Sequence, residues 1–172
     1  MKWSKTEMYS LKKFVPEDDI LELYSFVFDA HLHVKMPGQP MIRSKNEFMD
    51  WLIHQLRGYY HDLYLIYDEN KISGYIMSFD YRMYDGHCQV YGFNKGGLNC
   101  GLLEQFINRL CSEYPLRKLF LQVTENESFL IKVAKKIGFH EEARLIEYKY
   151  VDGKYIDMYI LSYLTGSRAD EK

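Results

Sequence analysis

The stretch richest in potential chemistry is residues 87–114. There an apolar run, His87 to Phe93, passes through Asn94-Lys95-Gly96-Gly97 into a long amphipathic segment. The first turn of a helix carries N–H groups with no intrahelical acceptor, together with the positive end of the dipole. Glycine lets backbone approach an anion closely. Gly96 and Gly97, with the N–H groups of Leu98, Asn99, Cys100 and Gly101, are therefore a candidate pyrophosphate cradle. A glycine turn or a tight helix–strand packing point would use the same residues, and the pattern alone leaves all three readings open. No Gly-Lys-Ser/Thr follows, so this is not a Walker loop, and it is not G-x-G-x-x-G. Cys88, Cys100 and Cys111 are odd in number and form no C-x-x-C pair, so a disulfide framework is not expected. A reducing cytoplasm fits them best, and Cys111 is expected in the core. His31-x-His33, with His54 or His61, has no carboxylate or cysteine at ligand spacing, so no metal is expected. Lys132, Lys135 and Lys136 read as a solvated helix face.

These residues need a scaffold, and the hydrophobic pattern supplies one. Met8–Phe14 reads as a strand. Pro16-Glu17-Asp18-Asp19 opens a helix with Ile20, Leu21, Tyr24, Val27 and Phe28 on its apolar face. His31–Met41 holds Pro37, Gly38 and Pro40 and reads as loop. Ser44 and Glu47 form a capping box for a helix carrying Phe48, Trp51, Leu52 and Leu56. Phe48 and Trp51 are expected in the core. Leu63–Tyr67, Ile72–Arg82 and His87–Phe93 form a meander, with Asp85-Gly86 as a hairpin turn. Leu98, Leu102, Leu103, Phe106, Ile107, Leu110 and Cys111 lie on one helical stripe that ends near Pro115. Lys118–Val123 is a short buried strand. Thr124 and Glu127 cap a helix over about 128–137 that stops at Gly138. Glu142–Tyr150 and Lys154–Leu164 flank the turn at Asp152-Gly153. The predicted fold is α/β: a mixed, mostly antiparallel sheet of about seven strands, with one parallel pair and helices on both faces.

Composition bounds the rest. The chain has 172 residues, 22 Lys+Arg against 24 Asp+Glu, and a net charge of −2. One domain over residues 1–172 is expected, with residues 166–172 as a flexible tail. The charge balance argues against nucleic-acid binding. No apolar run is long enough for a membrane span. The start, Met1-Lys2-Trp3-Ser4-Lys5, shows no apolar segment of a signal peptide. Eleven of the 16 tyrosines fall on predicted strands.

The element order and several motifs resemble the GNAT superfamily of N-acetyltransferases. Val133-Ala134-Lys135-Lys136-Ile137-Gly138-Phe139-His140-Glu141-Glu142 is similar to its helix, Gly-Phe and acidic signature. Arg144, Asp152-Gly153, Tyr155, Asp157 and Tyr159 match its ending, Tyr9–Phe14 its opening strand, and Cys88–Phe93 its fourth strand. The resemblance implies acetyl-CoA as co-substrate and the primary amine of a small molecule or peptide as acceptor. It implies pyrophosphate binding at Asn94, Lys95, Gly96, Gly97, Leu98 and Asn99. Asn94 stands where the family has Gln or Arg, and Asn99 where it has Gly or Ala. Val90 and Tyr91 would border the pantetheine arm, with a backbone N–H polarising the thioester carbonyl. Asn126 lies one residue before the place of a family Asn.

The resemblance also frames the catalytic groups. An alkylammonium has a pKa near 10.4, so a base helps to free the attacking amine. Several members use a Glu on the fourth strand, and here Gln89 occupies that place. His87, Asp80 and Glu147 are the substitutes by chemistry. The family's catalytic Tyr position holds Ala134. The acceptor pocket is implied at His31–Arg43 and about Glu147–Tyr155. A homodimer through the C-terminal aromatic strands is an open alternative. So is a non-catalytic GNAT-fold binding or regulatory protein with a degenerate cofactor site.

Overall fold

The computed structural model describes residues 9–29 and 36–166. The histidines at 31 and 33 and the tail at 167–172 lie outside them. The elements are β1 (Tyr9–Lys13), α1 (Pro16–Val27), α2 (Lys45–Gly58), β2 (Tyr60–Asp68), β3 (Lys71–Arg82), β4 (His87–Asn94), α3 (Cys100–Glu113), β5 (Lys118–Thr124), α4 (Ser128–Lys136), β6 (His140–Val151) and β7 (Lys154–Leu164). The strands form one seven-stranded sheet in the order β1-β2-β3-β4-β5-β7-β6. β4 and β5 are its parallel pair. The order matches the sequence reading, and the sheet is the mixed one expected.

The chain resolves into two compact units. One holds residues up to Phe79 together with Tyr91–Gly96. The other holds Asp80–Val90 together with residues from Gly97 onward.

In the first unit, β2 is paired with β1 and β3, both antiparallel. Its core joins Leu63, Leu65, Tyr75 and Met77 of the sheet to Leu23, Phe26 and Val27 of α1 and Phe48 and Leu52 of α2. Trp51 stacks on Phe48 and on Tyr60 at centroid distances of 5.7 and 5.9 Å. This bears out their core reading. Asp19, almost fully buried, closes the start of α1: its carboxylate accepts the Val15 N–H at 2.8 Å and the Lys12 ammonium at 2.6 Å. At α2 the Ser44 hydroxyl accepts the Glu47 N–H at 3.2 Å. The Glu47 carboxylate reaches the Arg43 N–H rather than that of Ser44, so the box closes one residue further back than expected.

In the second unit, Leu102, Leu103, Phe106, Ile107 and Leu110 form the buried stripe of α3. Cys111, expected in the core, is exposed. At about 100° per residue it lies at the margin of that stripe, roughly 110° from its centre. Helix α4 ends in a Schellman arrangement, where Phe139 N–H bonds Ala134 C=O at 3.0 Å and Gly138 N–H bonds Lys135 C=O at 3.2 Å. Gly138 takes a φ of +107° that this cap requires. A 3₁₀ turn over Glu125–Glu127 precedes α4, held by Glu127 accepting both the Thr124 N–H and its hydroxyl at 2.9 Å.

Candidate active site

The site is built on β4, where alternate residues divide between two faces. Cys88, Val90 and Asn94 are buried, while His87, Gln89 and Tyr91 are half-buried on the opposite face. The parallel ladder to β5 pairs His87 with Lys118, Cys88 with Leu119 and Gln89 with Phe120. It ends there, and Val90 does not pair with Leu121. β5 itself continues to Thr124, hydrogen-bonded to β7 along its whole length. A pocket of about 230 Å³ opens at this point. It is lined by Asp80, Arg82, His87, Cys88, Gln89, Phe120, Gln122 and Ile160. Drug-sized ligands occupy sites of about 300–1,000 Å³, so this volume suits a reacting head group rather than a whole nucleotide. The His87 ring meets Phe120 edge-on at 5.5 Å.

Asp80 enters the pocket through a backbone irregularity. It lies within β3 yet has a φ of +49°, a left-handed conformation that aspartate tolerates better than bulky residues. A positive φ turns a strand side chain away from its regular alternating position. The Asp80 carboxylate accepts the Gln89 amide at 3.0 Å and the Arg82 guanidinium at 3.4 Å. A carboxylate only accepts, so Gln89 turns its NH₂ toward Asp80. The structure thus gathers Asp80, His87 and Gln89 in one pocket.

Glu147 lies elsewhere. Pairing of β6 with β7 jumps from Leu145–Met158 to Lys149–Ile156. Ile146, Glu147 and Tyr148 therefore bulge opposite the single residue Asp157, and Glu147 sits at φ +50°. Asp157, 8% exposed, fastens this bulge. It accepts the Glu147 N–H at 2.8 Å and two Arg144 nitrogens, each at 2.6 Å. The Glu147 amide and the Arg144 guanidinium hold the Asp157 carboxyl below its ordinary range. Arg144 also lies 5.3 Å over the Tyr159 ring. The motif residues Arg144, Asp157 and Tyr159 thus form one clamp across the hairpin. Glu147 itself is exposed and is not among the residues lining the β4–β5 pocket.

The start of α3 shows what the candidate phosphate loop does locally. The helix begins at Cys100, two residues later than the apolar stripe predicts, because Asn99 is its N-cap. The Asn99 side chain accepts the Leu102 N–H at 2.9 Å, and the first i→i−4 bond is Leu103 N–H to Asn99 C=O. The N–H groups of Cys100 and Gly101 precede that bond and have no intrahelical acceptor. Gly97 has a φ of +86°, and a Cβ there would lie 2.8 Å from the Phe129 ring. A Cβ on Gly96 would lie 2.8 Å from the Tyr9 hydroxyl. The positive φ favours glycine at position 97, while at Gly96 only the movable tip of Tyr9 stands in the way. The N–H groups without an intrahelical acceptor lie at the helix start. Cys100 is half-buried, and Lys95 and Asn126 are exposed.

Sequence reasoning missed several of these residues. Arg82, Phe120, Gln122 and Ile160 line the pocket from three strands without any shared motif. Gly74 has no room for a side chain: a Cβ would overlap the Phe93 carbonyl oxygen and lie 2.7 Å from the Asn94 Cα. Beside it, the Lys95 N–H bonds the Ser73 carbonyl at 2.7 Å, which fixes the end of β4. A glycine inside a strand pattern is the one signal that could have flagged this approach. Among the described residues no cluster of His, Cys, Asp and Glu is arranged to hold a metal ion. No described helix is long and apolar enough to cross a membrane.

Comparison with known proteins adds to this geometry. A family model described as an acetyltransferase (GNAT) domain matches residues 13–160. No curated protein sequence matches. Among solved structures, a GNAT-family acetyltransferase from Streptococcus pneumoniae superimposes with a TM-score of 0.73 at 22% identity, covering 91% of this chain and 99% of its own. Spermidine N-acetyltransferase from Vibrio cholerae, solved with CoA and spermine, gives 0.77 at 14% identity, covering 92% and 96%. RimL, a ribosomal L7/L12 α-N-protein acetyltransferase in complex with coenzyme A, gives 0.75 at 14% identity, covering 94% and 96%.

Proposed function

Because the chain belongs to the GNAT acetyltransferase family, we propose that it moves an acetyl group from acetyl-CoA to a primary amine by direct attack in a ternary complex. The acceptor is a small-molecule amine or a protein N-terminus. The observation that carries this reading is the end of the β4–β5 ladder after Gln89–Phe120, with a small pocket holding Asp80, His87 and Gln89 at the same point. Support from relatives is of the same kind: similar folds acetylate spermidine and a ribosomal protein.

The residues present fit the co-substrate at two places. The N–H groups at the start of α3, with the positive end of its dipole, suit a pyrophosphate. We assign Gly97, Leu98, Asn99, Cys100 and Gly101 to that end, with Asn94, Lys95 and Gly96 leading into it and Asn126 near the cofactor. We assign the backbone around Val90 and Tyr91, just past the last paired position, to the thioester carbonyl. Acetyl-CoA supplies an activated carbonyl and a thiolate leaving group. With a free-thiol pKa near 8.5, that group departs without a dedicated acid, so the buried Ala134 at the family's Tyr position does not block transfer. The proton acceptor comes from the chain's own groups, with Asp80 and His87 in the pocket and Glu147 on the β6–β7 hairpin as candidates.

Cys88, Cys100 and Cys111 form no disulfide, which supports a reducing, cytoplasmic setting. Exposed Ile146, Tyr148, Tyr150 and Tyr155 are the surface we assign to pairing of two copies. A monomer by sedimentation would remove that assignment.

Calorimetric titration with acetyl-CoA tests the main reading, followed by a panel of primary amines with thiol release as readout. Saturable binding and release with at least one amine are expected. No binding at millimolar acetyl-CoA would instead leave a non-catalytic GNAT-fold protein.

A further inference from the structure

We infer that Asp80 is the proton acceptor of acetyl transfer and that Gln89 is its positioning residue. This rests on the acetyltransferase reading above and selects one group among its candidates. Three features of the pocket converge on Asp80. A left-handed φ of +49° within a strand is tolerated only where the surroundings over-determine it, and here it turns a carboxylate into the pocket. That carboxylate is partly open to solvent, with 31% of the side chain exposed, so it can pass a proton on. Gln89 holds it by an N–H donated at 3.0 Å.

The pairing explains why a glutamine stands at Gln89. Here the carboxylate sits across from it on β3, and the β4 residue is its hydrogen-bond donor. His87 shares the pocket, but its ring is turned edge-on to Phe120. The titratable and charged groups around Asp80 are Arg82 on its own strand and His87 and Cys88 on β4. β5 and β7 face the pocket with Phe120, Gln122 and Ile160, none of which titrates.

In the transfer step, the amine nitrogen forms a bond to the acetyl carbonyl carbon. The C–S bond breaks and its electron pair leaves on sulfur. At neutral pH the ammonium gives up one proton before attack and the nitrogen loses a second as the amide forms; both go to Asp80, directly or through one water, and from there to solvent, while the thiolate takes one proton from solvent.

The test is a pH series of steady-state rates for wild type, Asp80→Asn, Gln89→Ala and the double variant Asp80→Asn/Gln89→Glu. Far-UV circular dichroism and acetyl-CoA binding are measured on each, to show that it is folded and loaded. At neutral pH, Asp80→Asn is expected to lose on the order of 10²-fold or more in kcat/KM for the amine. The deficit shrinks as pH approaches the amine pKa near 10.4, because the acceptor is then already neutral. Gln89→Ala lowers kcat without weakening acetyl-CoA binding. The double variant reverses the hydrogen bond, with the amide now on β3 donating to a carboxylate on β4, and is expected to recover at least tenfold over Asp80→Asn. Full activity of Asp80→Asn at neutral pH would overturn the inference. So would a deficit equal at every pH with no recovery in the double variant. Failure of wild type to bind acetyl-CoA would bring down the acetyltransferase reading itself, and this inference with it.

Discussion

Asp157 and Arg144 show how a sequence motif becomes a physical constraint. The Asp157 carboxyl is held below its ordinary range first by the Glu147 N–H and then by the Arg144 guanidinium. A carboxylate whose pKa falls on folding stabilises the native state fully above its unfolded value, near 3.9, and loses that contribution as pH falls through the folded value. Asp157→Asn should therefore be less stable than wild type at neutral pH, and its stability should fall less steeply on acidification below about pH 4. Urea melts from pH 7 to pH 2 would check this. Parallel stability–pH curves for the two proteins would remove Asp157 from the acid response. The same substitution releases the Glu147 amide, so faster hydrogen exchange at Glu147 is expected beside it.

The elements were legible because each follows a local rule. Helical spacing marked α1 to α4, and apolar runs between turns marked β2 to β7. Ser44, Asn99 and Gly138 show why boundaries resolve once cap geometry is known. The site was legible only in part. His87, Gln89 and the start of α3 are continuous in sequence and could be found there. The left-handed φ at Asp80 and the bulge at Glu147 could not: nothing in the run around Asp80 marks it, and extra residues in a ladder depend on pairing with a distant strand. The same holds for Gly74 against Phe93 and Gly97 against Phe129, which are 19 and 32 positions apart and leave no periodic trace. Two substitutions separate these glycines. Gly74→Ala overpacks backbone against backbone and should cost about 3 kcal/mol, near the upper end for inserted methyl groups. Gly97→Ala combines a strained φ with a clash against a side chain that is 54% exposed. It should cost about 1–3 kcal/mol, and Phe129→Ala in the same chain should recover the clash part but not the backbone part. Additive costs in that double-mutant cycle would mean that Phe129 does not press on Gly97.

At the scale of the whole molecule, a net charge of −2 gives little long-range attraction for an anionic cofactor. On the proposed reading, affinity for acetyl-CoA comes from local groups, chiefly backbone N–H at the start of α3, which are arrayed this way only in the folded chain. A ligand that binds only the native state stabilises it by about 2.7 kcal/mol at a free concentration one hundred times Kd. For a chain of this size, each kcal/mol moves Tm by about 2–4 °C. Acetyl-CoA at that excess should therefore raise Tm by about 5–11 °C, and the shift should grow with the logarithm of concentration beyond it. Inorganic pyrophosphate at the same concentration should give a much smaller shift, because it engages the helix start without the pantetheine arm. An equal shift from pyrophosphate would locate all the affinity at α3 and leave the end of the β4–β5 ladder without a part in binding.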